Sequence, residues 1–123
     1  MFRGRLYLSM QPGQKDNHYL VAKNFYFTNN EYDLMVPAGT PTDGASIPRV
    51  LWSIVGSPFT GKYTPAAVLH DWLYLTGIYS RKESDQILYK AMIASNVPLW
   101  KADIICTGVR AGGWVAWNKH RNA

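Results

Sequence analysis

Three ionisable side chains stand where helical spacing would otherwise bury only apolar groups. His70 and Asp71 interrupt AAVLHDWLYL (66–75), and Asp85 interrupts SRKESDQILYKAM (80–92). Residues three and four apart share a helix face. His70 therefore lies with Ala66, Ala67, Leu73 and Tyr74, and Asp85 with Leu88, Tyr89 and Met92. Two helices joined by a short connection near residues 75–80 are expected to be antiparallel neighbours. Both polar groups then point into one seam, where an unpartnered carboxylate is expensive. A hydrogen bond from one ring nitrogen of His70 to Asp85 removes that cost. It leaves the other nitrogen free to act as a general base or to bind a metal. Tyr74, one turn after His70, can direct its hydroxyl onto Asp85 and fix the carboxylate. A satisfied polar contact in the core, with no chemistry, is the competing reading of the same residues.

Asp71 is one position on, about 100° around the helix, so it serves a different face. The face it reaches is expected to border the DGASIP loop (43–48). A carboxylate beside loop carbonyls, with Gly44 as the backbone contributor, is a hard-oxygen environment suited to Ca²⁺ rather than zinc. A plain turn is the competing reading of DGASIP. Asp43 before Gly44 is as well suited to an Asx turn as to a ligand. Ser46 lacks a G-x-S-x-G setting, so capping a short helix at Pro48 is its expected task. Arg110, a single charge on a late helix, is matched to a carboxylate such as Asp43 or Asp71.

These residues must be positioned by elements, and the chain divides into two kinds of pattern. Residues 1–40 read as β structure, with strands near 4–9, 19–28 and 31–36 and a hairpin at Asn29-Asn30. VPAGTPTDGASIPRV (36–50) is a long Pro/Gly-rich loop, and a short helix follows Pro48, ended by Gly56-Ser57-Pro58. Thr64 is placed to cap a helix with Pro65 at its first position, stopping at Gly77. Ser80 and Glu83 form an S-x-x-E capping box for the next helix, about 80–95, which Asn96 and Pro98 end. A last helix covers about 98–118, with Gly108, Gly112 and Gly113 as soft or close-packing points. The expectation is one α+β domain over 1–123: a β meander or hairpins (1–40), a loop with a short helix (41–63), then three main helices (64–118).

Bulk properties agree with a single core. The chain has 123 residues, 47% hydrophobic and 17% charged, which argues for a globular rather than a disordered protein. Five Trp and eight Tyr suggest either a surface that meets a partner or a core built from large side chains. A net charge of +5 is compatible with an anionic partner, such as a lipid surface or an acidic protein. The cations are scattered without basic blocks, so no nucleic-acid partner is expected. The one cysteine, Cys106, allows no internal disulfide and no thiolate zinc cluster, and reads as an inert core thiol. His18 and His120 have no ligand spacing to each other. The first residues are too short an apolar run for a signal peptide, and no stretch reads as a transmembrane segment.

The string A-x-x-x-H-D-x-x-Y from Ala66 to Tyr74 resembles the catalytic helix of phospholipase A₂ enzymes. RKESDQILYKAM and ADIICTGVRAGG are similar to the second helix and closing run of the bacterial and parvoviral members. That resemblance covers about 66–113. The combined pattern TDGASIPR, AAVLHDWLY and SRKESDQILYKAM also resembles a family of uncharacterised bacteriophage and prophage proteins, over about 20–115. The phospholipase resemblance implies an antiparallel helix pair in which His70 is the base, Asp71 the calcium ligand, and Asp85 and Tyr74 the orienting pair. It implies Ca²⁺-dependent hydrolysis of a lipid acyl ester at a phospholipid surface. The phage resemblance implies a protein made in the host cytoplasm. It also implies a non-enzymatic alternative: a virion or tail-associated component, bound to other phage proteins or to a host factor.

Overall fold

The computed structural model describes residues 2–3, 6–10, 19–44, 46–56 and 61–121. Gly4-Arg5 of the first expected strand, His18, Ala45 of the DGASIP loop and the Ser57-Pro58 stop lie outside them. The fold is α+β, with six short strands and then five helices among the described residues. The strands are β1 (Phe2–Arg3), β2 (Leu8–Met10), β3 (Tyr19–Val21), β4 (Phe25–Thr28), β5 (Asp33–Val36) and β6 (Pro41–Thr42). They form two antiparallel three-stranded sheets, ordered β1-β4-β5 and β2-β3-β6, rather than one meander.

The expected strand 19–28 is two strands in different sheets. The break at Ala22–Asn24 has a local cause: the Asn24 side-chain oxygen accepts from the Ala38 N–H at 2.6 Å, which holds the returning chain beside it. In the β4–β5 hairpin, Phe25 pairs with Val36 and Phe27 with Leu34, and all four side chains are buried. The hairpin turn falls where Asn29-Asn30 placed it. Its mechanism differs from a positive-φ pair, because Asn96 is the one non-glycine with positive φ among the described residues. Instead the Asn29 side chain accepts from the backbone N–H groups of Glu31 (2.8 Å) and Tyr32 (2.7 Å), an Asx-type closure.

A 3₁₀ turn (Arg49–Leu51) runs into α1 (Trp52–Val55). The longer helices are α2 (Thr64–Thr76), α3 (Arg81–Ala94), α4 (Leu99–Gly112) and α5 (Trp114–Arg121). Tyr63, not Thr64, is the N-cap of α2, and the Thr64 hydroxyl donates to the Gly61 carbonyl at 3.1 Å. Gly77 ends α2 in the left-handed conformation, and its N–H reaches the Leu73 carbonyl at 3.0 Å. The three residues Gly77–Tyr79 and the cap Ser80 then turn the chain back into α3. Ser80 accepts from the Glu83 N–H at 3.1 Å, but Glu83 does not complete the capping box. Its carboxylate takes the Tyr32 hydroxyl at 2.7 Å and so ties α3 to the hairpin. Asn96, with φ 62°, and the Val97 N–H on the Met92 carbonyl (3.1 Å) close α3 in the manner of a Schellman motif.

The expected last helix is two helices that meet at Gly113. A Cβ there would lie 2.7 Å from the Tyr74 hydroxyl and 2.5 Å from the Val109 carbonyl. Only glycine permits that approach, and it sets the α4–α5 joint directly on the α2–α3 seam. Gly108 and Gly112 serve a second contact, against Leu51 and Pro48 respectively. One continuous core joins Phe25, Phe27, Leu34 and Val36 of the hairpin to Leu69, Leu73, Leu88, Met92 and Ile105 of the helices.

Candidate functional site

The α2–α3 seam contains the polar groups that the spacing predicted. Asp85 Oδ1 accepts from His70 Nε2 at 2.7 Å and from the Tyr74 hydroxyl at 2.6 Å. Its other oxygen, Oδ2, accepts from Arg110 Nη1 at 2.6 Å, and Arg81 Nη1 stands 3.7 Å away. The carboxylate acceptor opposite Nε2 assigns a proton to Nε2, so in the neutral imidazole Nδ1 carries the lone pair. Nδ1 is buried and has no hydrogen-bond partner, and His70 is 0% exposed. The Tyr74 ring lies against the imidazole, with centroids 4.2 Å apart. Trp117 of α5 meets the Tyr74 ring edge-on at 5.2 Å.

The electrostatics follow from that geometry. Burial by itself would raise the pKa of Asp85, but the His70, Tyr74 and Arg110 hydrogen bonds outweigh it and hold the carboxyl below its ordinary value. The Tyr74 hydroxyl is pushed up, first by burial and then by donating to a carboxylate. Asp85 is thus an ionised acceptor to several donors, and Tyr74 a fixed donor.

Arg81 is the member that sequence reasoning missed, and Arg110 is one for which it named other carboxylates. Arg110 meets Asp85 rather than Asp43 or Asp71, because α4 packs on α3 and brings the guanidinium to the seam's open edge. Arg81 donates to the Val109 and Arg110 carbonyls, both at 3.2 Å, satisfying the end of α4 while it faces Asp85. The i,i+4 spacing of Arg81 and Asp85 was the available signal. The Ser84 hydroxyl, also buried and without a partner, had none.

Asp71 faces the 42–46 loop, as expected, but receives donors rather than offering a place among carbonyls. Its Oδ2 accepts from the Thr42 hydroxyl and from the Gly44 N–H at 3.0 Å. Its Oδ1 accepts from the Ser46 hydroxyl and from the Ser46 N–H at 3.3 Å. Ser46 therefore anchors on Asp71 and does not cap the 3₁₀ turn, whose N-cap Pro48 has no side-chain bond. Gly44 presents its N–H to the carboxylate, and its carbonyl takes the Ile47 N–H at 3.0 Å. Asp71 and Gly44, the pair expected at a calcium ion, are hydrogen-bonded to each other here. Four N–H and O–H groups occupy the carboxylate, and a cation would have to displace them. Among the described residues no group of three His, Cys, Asp or Glu is arranged to hold a metal. Burial raises the pKa of Asp71, and the Ser46 and Thr42 hydroxyls pull it partly back.

On the Oδ2 side of Asp85 the seam opens into a cleft of about 310 Å³, lined by Lys82, Asp85, Gln86, Tyr89, Cys106 and Arg110. Cys106 is half-buried there. Its thiol is pushed up to about 12, by burial first and then by Asp85 and Asp103, which disfavours the thiolate, although the residue lines the cleft rather than lying in the core.

Comparison with known proteins places the sequence in a family. Residues 19–109, from β3 into the last turn of α4, match a family described as a protein of unknown function, DUF1353. The chain belongs to this family. The matched segment includes His70, Asp71, Tyr74, Arg81 and Asp85, and stops one residue short of Arg110. Two relatives come from Sinorhizobium fredii (strain NBRC 101917 / NGR234). The uncharacterised protein y4jT is 42% identical over 78 residues, which cover 63% of this chain and 23% of that protein. The uncharacterised protein y4iH is 36% identical over 112 residues, 91% of this chain and 47% of that protein. The chain therefore spans less than half the length of either relative. No solved structure matches. No helix among the described residues is long and apolar enough to cross a membrane.

Proposed function

We propose that this family member is a hydrolase in which His70 is the general base, oriented by Asp85 and Tyr74. The observation that carries the reading is the state of the imidazole. Nε2 is held by an ionised carboxylate, while Nδ1 is left with a lone pair and no partner. A buried polar atom without a partner calls for an explanation, and a reacting water is one. Nδ1 takes the water proton as the water oxygen attacks an acyl carbonyl, and Asp85 stabilises the imidazolium that forms; the imidazolium then returns the proton to the leaving alkoxide as the ester C–O bond breaks, giving acid and alcohol. The phospholipase A₂ resemblance suggests a glycerophospholipid ester as substrate, and the +5 charge suits an anionic lipid surface. The phage resemblance suggests a bacteriophage or prophage setting. No step is assigned to Ca²⁺, because Asp71 and Gly44 face each other through a carboxylate and an N–H.

Release of fatty acid from mixed anionic and zwitterionic vesicles tests the reading, with and without chelator. We expect turnover that chelator does not abolish, and a loss of about 10²- to 10⁴-fold in His70→Gln, the contribution typical of a general base. Circular dichroism verifies that the variant is folded. Absence of release by the wild type, or equal rates in the variant, overturns the proposal.

One observation favours a second reading. His70 is wholly buried, so the pair also serves as a polar anchor in a non-enzymatic protein, such as a virion or tail-associated component or a host-interaction factor. On that reading Asp85→Asn lowers the melting temperature strongly, and no lipid, ester or metal raises that of the wild type.

A further inference from the structure

The cleft beside Asp85 is separate from the Nδ1 side of His70, and its chemistry is distinct. One wall is the Tyr89 ring and the Cys106 side chain, with the methylene stems of Lys82, Gln86 and Arg110 completing an apolar lining. Lys82, Gln86 and Arg110 are all exposed residues, so their polar ends reach solvent at the rim. Lys82 has no carboxylate partner among the described residues. Arg110 uses Nη1 on Asp85, and its side chain is 44% exposed, so its remaining donors face outward. Asp85 thus acts as a backstop that fixes the guanidinium and aims it.

The volume and the charges narrow the ligand. About 310 Å³ is the space of roughly ten water molecules, and sits at the small end of ligand pockets. The cleft is open on one side, so a small body lays an apolar part against its wall and keeps a polar end in solvent. Two cations at the rim select an anion. Asp85 inside the cleft, and Asp103 facing the Tyr89 hydroxyl, disfavour a second negative charge.

We propose that this cleft binds a small amphipathic monocarboxylate, its carboxylate paired with Arg110 and Lys82 and its apolar body against Tyr89 and Cys106. The proposal does not depend on His70 turning over. It holds equally if the His70–Asp85 pair is purely structural.

Titration of the full chain with benzoate and with octanoate at pH 7, followed by amide chemical shifts, tests it. Benzamide, octanamide and inorganic phosphate serve as comparison ligands. Either carboxylate is expected to saturate shifts at residues 82–89 and 106–110, with its amide isostere and phosphate at least about tenfold weaker. Arg110→Gln and Lys82→Gln are each expected to weaken carboxylate binding several-fold. Lys82 lies on an exposed part of α3, so its variant keeps the test meaningful if Arg110→Gln is destabilised. Amides that bind as tightly as the acids, phosphate that binds more tightly, wild-type affinity in Lys82→Gln, or no saturable shifts in the cleft would each overturn the assignment.

Discussion

At the residue scale, the site is governed by Asp85. Three groups around it, His70 Nε2, the Tyr74 hydroxyl and the Arg110 guanidinium, each point a hydrogen at this one carboxylate. Replacing Asp85 by Asn keeps the shape but sets an amide N–H₂ against those donors. The expected loss is about 3 kcal/mol, the low end for breaking a buried pair, because Arg110 is partly solvated. The pH dependence has a definite sign. A carboxyl held below its ordinary pKa contributes stability above the ordinary value, and the contribution is lost as pH falls through the folded-state value. The gap between wild type and Asp85→Asn in urea melts should therefore be widest at neutral pH, begin to narrow as pH falls through about 4, and vanish only below the folded-state pKa. A gap that stays constant to pH 3 would show that charge has no part in it. His70, Tyr74 and Asp85 were legible because each sits at a fixed helical phase and the helices are adjacent in sequence. Arg110 was not: its phase on α4 says nothing about which of several carboxylates α4 will cover.

At the element scale, two features outside the seam decide how it is held. The first is the clamp of Asp71 on Thr42, Gly44 and Ser46, which fastens the loop between β6 and the 3₁₀ turn to α2. Asp71→Ala leaves those buried donors without an acceptor, at about 1–3 kcal/mol for each one left unsatisfied. Hydrogen exchange should show faster exchange at Gly44 and Ser46, with Leu69 and Leu73 amides keeping most of their protection. Equal loss of protection in loop and helix would mean that the clamp is part of the global fold. The sequence placed Asp71 next to this loop correctly. What it could not show is polarity, because loop composition does not say whether N–H or C=O groups turn toward a carboxylate. The second feature is Gly113. Three glycines in the α4 region looked alike in sequence, but Gly113 alone of them meets Tyr74 and Arg81. Gly113→Ala should cost about 1–3 kcal/mol by overpacking, with the α4–α5 joint moving off the seam. Weakened Tyr74–Trp117 contact, read as a changed near-ultraviolet dichroism, is the accompanying signature; an unchanged melting temperature would argue that the joint yields freely.

At the scale of the whole molecule, the question is whether the strand-rich first third and the helical remainder unfold as one body. The order of elements was legible, since hydrophobic period changes from two to about three and a half near residue 64. The division of the strands into two sheets was not, because it depends on an Asn24 side chain reaching a backbone N–H fourteen residues away. Neither sheet has a core of its own. Phe25, Phe27, Leu34 and Val36 pack into the same cluster as Leu69, Leu88 and Ile105, and the Tyr32–Glu83 bond crosses between the parts. A three-stranded sheet of strands this short cannot stand independently. Unfolding should therefore be a single transition, although the chain matches only a part of each longer rhizobial relative. All five tryptophans lie in the helices, so fluorescence reports on the helical part, and amide signals of Phe27 and Leu34 report on the hairpin. In urea the two probes should share one midpoint and one slope, about 1–3 kcal/mol per molar for a chain of this size. Leu34→Ala, made in the hairpin, should lower the midpoint of both probes together by the equivalent of about 2–5 kcal/mol. If the hairpin signals disappear first while the tryptophans stay native, the helices form a separate folding unit, and the strands are an accessory laid over it.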